Sequence, residues 1–199
     1  MKLTIEHQES YSRGELLLRT FFGWLYILIP HAFVLLFLGL WGAILQFVAF
    51  WVILFTGRYP QSMFEYQVGL LKWTVRLSAR LYNLSDGYPA FGIKSTDDKT
   101  DLEIPYPEKV SRGLVLLRLF LGIFYVYLPH MFLLYFRAIF VGILIFLAWW
   151  VVLFTAKYPD FMFDWVTGQL RWQIRVTVYM QYMTDTYPPF TGDELPDEA

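Results

Sequence analysis

The chain has 199 residues and a formal net charge of −1, with 57% hydrophobic, 21% aromatic and 17% charged residues. This apolar excess over a usual soluble domain is gathered into two long runs, which a soluble core of this size could not hide. The near-neutral balance gives no drive toward nucleic acid, and the absence of cysteine excludes disulfides and thiolate metal sites.

In chain order, Lys2 to His7 alternates polar and apolar residues, which predicts a half-buried strand over 2–6. Glu6 and Glu9, and the length of the apolar run after them, do not fit a cleaved signal peptide. Ser12 caps a helix, with Glu15 completing a capping box. Leu16 to Pro60 then supplies about twice the ~20 apolar residues of one bilayer crossing. A break near Gly39-Leu40-Trp41-Gly42 divides it into transmembrane helices 16–38 and 41–57. Pro60 suits the first turn of a helix. It opens a segment, 61–84, with Glu65, Gly69, Lys72, Arg76 and Arg80 on one side and Met63, Phe64, Leu70, Leu71, Leu77 and Leu81 on the other. This is a basic amphipathic helix expected in the membrane interface. Residues 92–99 read as a polar linker.

The second half follows the same plan. A strand is predicted over 101–105, pairing with 2–6 in a small cytoplasmic sheet. Transmembrane helices 115–136 and 139–156 are divided near Arg137-Ala138, since a charge is cheapest at a turn reaching the headgroups. An interfacial helix over 160–183 carries Asp164, Gly168, Arg171 and Arg175 on its polar stripe, and an acidic tail occupies 191–199. A rival division breaks each apolar run at Pro30 or Pro129 and keeps one long crossing. Charge favours the hairpin. Arg13, Arg19, Arg58, Lys72, Arg76, Arg80, Arg112, Arg118, Lys157, Arg171 and Arg175 then fall on one side and only Arg137 on the other. That is the positive-inside pattern with both termini cytoplasmic.

The two halves are copies. A shift of 99 positions places Ser12-Arg13-Gly14 on Ser111-Arg112-Gly113 and Pro30-His31 on Pro129-His130. It also places Phe55-Thr56 and Tyr59-Pro60 on Phe154-Thr155 and Tyr158-Pro159. Gly69, Trp73, Arg76, Asp86 and Tyr88-Pro89 fall on Gly168, Trp172, Arg175, Asp185 and Tyr187-Pro188. Roughly four positions in ten are identical between 1–91 and 100–190, the mark of a duplication. The expected fold is an all-α integral membrane protein. It has two tandem parallel repeats, each a transmembrane hairpin plus an interfacial helix, related by an axis along the membrane normal.

The order SRG, PH within an apolar run, FTGRYP, a G-x-L-K-W helix and D-x-YP-x-F resembles a bacterial membrane-protein family catalogued as a domain of unknown function. The resemblance covers both halves, with FTGRYP and YPPF its most specific parts. The second copy departs to FTAKYP, and the first ends YPAF. The resemblance implies a bacterial inner-membrane location and brings no catalytic residues.

His31 and His130 are the sharpest chemical candidates, because polar groups at membrane depth need a reason. They can serve a proline-interrupted helix, whose carbonyls near Tyr26 and Tyr125 lose their donors. They can also line a transport path, or meet near the pseudo-axis and hold a metal or haem. Arg19 and Arg118 are expected to snorkel to the interface. Arg58, Lys72, Arg76, Arg80, Lys157, Arg171 and Arg175 are candidate contacts to anionic lipid. The Trp and Tyr load suits the interface. No nucleophile–base pair, phosphate loop or metal-ligand spacing is present, so an enzyme is not expected and no cofactor is assigned. The leading expectation is a non-enzymatic scaffold or accessory subunit binding anionic lipid and a membrane partner or a second copy. The alternatives are a small transporter or channel near His31 and His130, and a histidine-ligated metal or haem protein.

Overall fold

The computed structural model describes residues 1–196; the last three residues of the acidic tail lie outside them. Strand β1 (Lys2–Ile5) precedes helices α1 (Arg13–Gly23), α2 (Ile29–Thr56) and α3 (Gln61–Leu81). Strand β2 (Thr100–Glu103) precedes α4 (Arg112–Gly122), α5 (Leu128–Thr155) and α6 (Asp160–Met180). The protein is thus mostly helical, with one small sheet. That sheet has the expected strands, antiparallel, with Leu3 opposite its repeat mate Leu102.

The hairpins are not formed. Arg13–Thr56 is one helix of 44 residues, and so is Arg112–Thr155. No turn occurs at Gly39–Gly42 or at Arg137–Ala138. Gly42 serves close packing instead, because α3 crosses it and Gln67 donates to its carbonyl at 2.7 Å. Arg137 needs no headgroup. Its guanidinium lies over the Trp165 ring, 4.3 Å from the centroid, and donates to the Trp165 carbonyl. The rival single-helix division is closer, yet the prolines do not break the run. A π-helical turn, Trp24–Leu28 or Ile123–Tyr127, precedes each proline. There the Ile29 and Leu128 amides donate five residues back, to Trp24 and Ile123. The extra residue lets Pro30 and Pro129 enter without ending the helix.

Both helix starts are capped by serine, Ser12 accepting from the Glu15 amide and Ser111 from the Leu114 amide. The reciprocal half of the capping box is absent, since the Ser12 amide donates to Asp86 at 2.6 Å. Both long helices end on a left-handed residue, Gly57 at φ 72° and Ala156 at φ 59°.

The long helices run antiparallel. The Tyr11 amide donates to the Ala156 carbonyl, Arg13 to the Phe154 carbonyl and Trp149 Nε1 to Thr20; at the opposite end the Val110 amide donates to the Gly57 carbonyl. Three layers result. Exposed Leu, Phe, Trp and Ile side chains run along the outer face of both long helices, from Leu17 to Phe55 and from Leu116 to Phe154. Helices α3 and α6 form the middle layer, and the sheet with loops 82–99 and 181–196 closes the other side. The core joins all three, through Leu3, Leu16, Ile53, Val75, Leu102 and Val152 among others.

Helices α3 and α6 therefore do not lie as separate interfacial helices. Each packs back against its own long helix and is buried along most of its length. Their polar stripes meet a protein layer, which is why loops 92–97 and 191–194 are ordered against them.

Candidate functional site

Each repeat builds one cluster around its Pro-His pair, where a long helix, the middle-layer helix and the Tyr-Pro loop converge, with His and Trp buried and the loop's Tyr and Phe partly exposed. His31 and His130 are fully buried. Trp73 Nε1 donates to His31 Nδ1 at 2.7 Å, and Trp172 Nε1 to His130 Nδ1 at 2.8 Å. An indole N–H can only donate, so each Nδ1 is the acceptor and each Nε2 carries the proton. In the second repeat this proton faces Tyr187 Oη at 3.2 Å, and Tyr187 donates to the Tyr125 carbonyl at 2.8 Å. That carbonyl is the one Pro129 deprives of its helical donor. The chain runs Trp172, His130, Tyr187, Tyr125, with every donor and acceptor used.

The first repeat keeps the outer links and loses the middle one. Tyr88 Oη donates to the Tyr26 carbonyl at 3.2 Å, but His31 Nε2 has no hydrogen-bond partner among the described residues. Phe91 and Phe190 close the clusters, and Phe190 stacks on His130 at 4.1 Å between centroids. The His130 imidazole thus helps a proline-interrupted helix indirectly, through Tyr187, while in the first repeat Tyr88 meets the Tyr26 carbonyl without the histidine. Neither ring offers a lone pair to a metal as arranged. The two histidines are not brought together: each is enclosed in its own repeat, rather than facing a path between two hairpins.

Replacing Tyr187 with Phe should therefore cost more than replacing Tyr88. Tyr187→Phe strands the buried His130 proton, a loss of about 1–3 kcal/mol. Tyr88→Phe breaks only an exposed bond to the Tyr26 carbonyl and should cost under about 1 kcal/mol. Denaturant unfolding in mixed micelles would show the order, and equal losses would refute the relay.

An ion pair fastens each Tyr-Pro loop, buried in the first repeat and partly exposed in the second. Arg19 donates to Asp86 at 3.0 Å, and also to the Ser85 carbonyl and Asn83. Arg118 donates to Asp185 at 2.9 Å and lies 3.8 Å from the Tyr179 ring centroid. The same aspartates accept the Ser12 and Ser111 amides. Arg19 and Arg118 do not snorkel. They are held inside, because a paired carboxylate within the protein replaces the headgroup region.

The basic stripes clamp loops. Arg76 donates to the Gly92 and Ser95 carbonyls, and Arg175 to the Thr191 and Asp193 carbonyls. Arg80 pairs with Asp97 at 2.7 Å, Lys72 with Asp101 at 2.8 Å and Arg171 with Glu194 at 2.7 Å. Burial alone would raise the Asp97 carboxyl, but hydrogen bonds from Arg80 and the Lys99 amide, with the Arg80 charge, hold it below the usual carboxylate range. These five side chains serve the polar layer and not the apolar face. Of the lipid candidates, only Arg58 and Lys157 are exposed, just beyond the ends of the long helices.

Sequence reasoning passed over Asp86, Asp185, Tyr88, Tyr187, Gly69 and Gly168 as site residues. The signal was present, since each recurs in the other copy at the same spacing.

The layers and the paired clusters define a duplicated helical protein with two helices long and apolar enough to cross a membrane. Its two copies each carry a buried Trp-His pair under a Tyr-Pro loop. The chain belongs to the family described as a domain of unknown function, DUF4389, matched twice in tandem over residues 15–92 and 114–192. No curated protein and no solved structure matches it.

Proposed function

We propose that this protein is a non-enzymatic scaffold of the bacterial inner membrane, whose long helices lie along the bilayer instead of crossing it. The apolar outer face is immersed. The polar layer, with both termini, faces the cytoplasm and offers its sheet and loops to a partner protein.

One observation carries this reading: charged loops lie beside the middle of the long helices. Trp73 meets His31 near the midpoint of the first long helix, and one turn further Arg76 holds Gly92 and Ser95. Lys94 and Asp98 are the exposed charges of that loop. A perpendicular crossing would sink them about a helix diameter away from the bilayer centre's protein axis, where each charge costs several kcal/mol. Length agrees. A helix of 44 residues measures about 66 Å, roughly twice the ~30 Å hydrocarbon core. With the helices in plane, the axis between Leu3 and Leu102 runs along the membrane normal.

Because the chain has no cysteine, single reporters can be placed cleanly. Fluorophores on cysteines replacing Phe21, Phe37 and Phe55 should be quenched by nitroxide lipids at one common depth. Spanning helices would put the Phe37 site deep and the other two shallow, and that result would refute the in-plane reading. Solute flux through reconstituted vesicles would favour transport over a scaffold.

A further inference from the structure

We infer that the two corners where the ends of the long helices meet are seats for anionic phospholipid headgroups. The inference rests on the immersion proposed above and names the lipid class and its contacts. At one corner, Arg13 opens the first long helix beside Lys157, which follows the end of the second. The Tyr11 amide joins the Ala156 carbonyl at 2.8 Å, and Arg13 Nη2 donates to the Phe154 carbonyl at 2.9 Å. At the other corner, Arg112 lies against Gly57, next to Arg58, and the Val110 amide joins the Gly57 carbonyl at 2.9 Å.

All four cations are exposed. Among the described residues none has a carboxylate partner, whereas Arg19, Lys72, Arg80, Arg118 and Arg171 each have one. Glu9 and Glu108 precede the corners in the chain and pair with none of the four. Phe154 and Phe55, in the last turns of the two long helices, are each 72% exposed. Each corner therefore sets two exposed cations without a carboxylate partner at the edge of an uncovered apolar surface. A phospholipid with a net negative headgroup meets both needs, its phosphate at the cations and its acyl chain along the helix. A zwitterionic lipid meets only the second. The change from Arg58 to Lys157 between the copies keeps the charge, and a point charge suffices for a phosphate. Two cations per corner at the membrane surface are worth up to roughly thirtyfold in lipid preference at low salt, fading as the Debye length shrinks.

The test uses full-length protein in phosphatidylcholine vesicles carrying trace spin-labelled phosphatidylglycerol or phosphatidylcholine, measured only on protein that floats with the vesicles. The parent should immobilise labelled phosphatidylglycerol about tenfold or more over phosphatidylcholine, and lose most of this preference in high salt. The variant R13Q/R58Q/R112Q/K157Q should float equally and show a ratio near one. The control K2Q/K94Q/K99Q, which removes charge from the polar layer, should keep the parent's ratio. If the quadruple variant fails to fold, R13Q/K157Q and R58Q/R112Q should each halve the immobilised phosphatidylglycerol. A floating parent without preference, or a quadruple variant that keeps it, overturns the corner sites while leaving the immersed scaffold intact. A parent that does not float overturns both.

Discussion

Asp86→Ala should destabilise the fold by about 3–5 kcal/mol, the usual result of removing one partner from a buried ion pair. The side chains of Arg19 and Asp86 are 5% and 9% exposed, so neither is rescued by water. The substitution also strips the Ser12 amide of its acceptor at the helix start. The equivalent Asp185→Ala should cost less, because Asp185 is 35% exposed and its screening is correspondingly greater. Replacing both members, Arg19→Leu with Asp86→Leu, should recover part of the loss, since no buried charge is then left alone. Equilibrium unfolding of the four proteins in mixed micelles gives the comparison. A loss under about 1 kcal/mol for Asp86→Ala would mean the pair is solvated and does not fasten the Tyr-Pro loop.

Gly69→Ala should destabilise the protein although it lies inside a helix, where the same change ordinarily gains about 1 kcal/mol. A Cβ at position 69 would stand 2.7 Å from the Ile93 carbonyl oxygen and 3.1 Å from Ile93 Cβ. The backbone of the loop crosses the helix there and is pinned by Arg76 of the same helix at Gly92 and Ser95, on either side of Ile93 in the chain, so it cannot yield freely. The expected loss is about 1–3 kcal/mol, as for overpacking, with faster proteolysis within 92–99. Gly39→Ala is the control, because a Cβ there meets nothing within 4 Å. Opposite signs for the two changes would show that Gly69 is kept for close approach. A gain at both positions would show that the loop moves aside at little cost.

The sequence determined what is local. Alternation at Lys2–His7 and Asp101–Pro105 gave the strands, Ser12 and Ser111 gave the caps, Pro60 and Pro159 gave the starts of α3 and α6, and the 99-residue shift gave the duplication. Each of these depends on neighbours in the chain or on direct comparison of residues. Packing in three dimensions sets where the polar groups find partners. The hairpin expectation rests on an apolar run long enough for two crossings and on a charge count that places every arginine in water or headgroups. In fact Arg19, Arg118 and Arg137 are held by Asp86, Asp185 and Trp165, and Arg76 and Arg175 by loop carbonyls. With those charges satisfied inside the protein, the positive-inside count no longer required a turn, and the apolar run could remain one helix. The Trp-His-Tyr relay was hidden for the same reason. Trp172, His130 and Tyr187 lie far apart in the chain, and hydrogen-bond partners at such separations are set by how α5, α6 and the loop after it pack, not by any periodicity along the sequence.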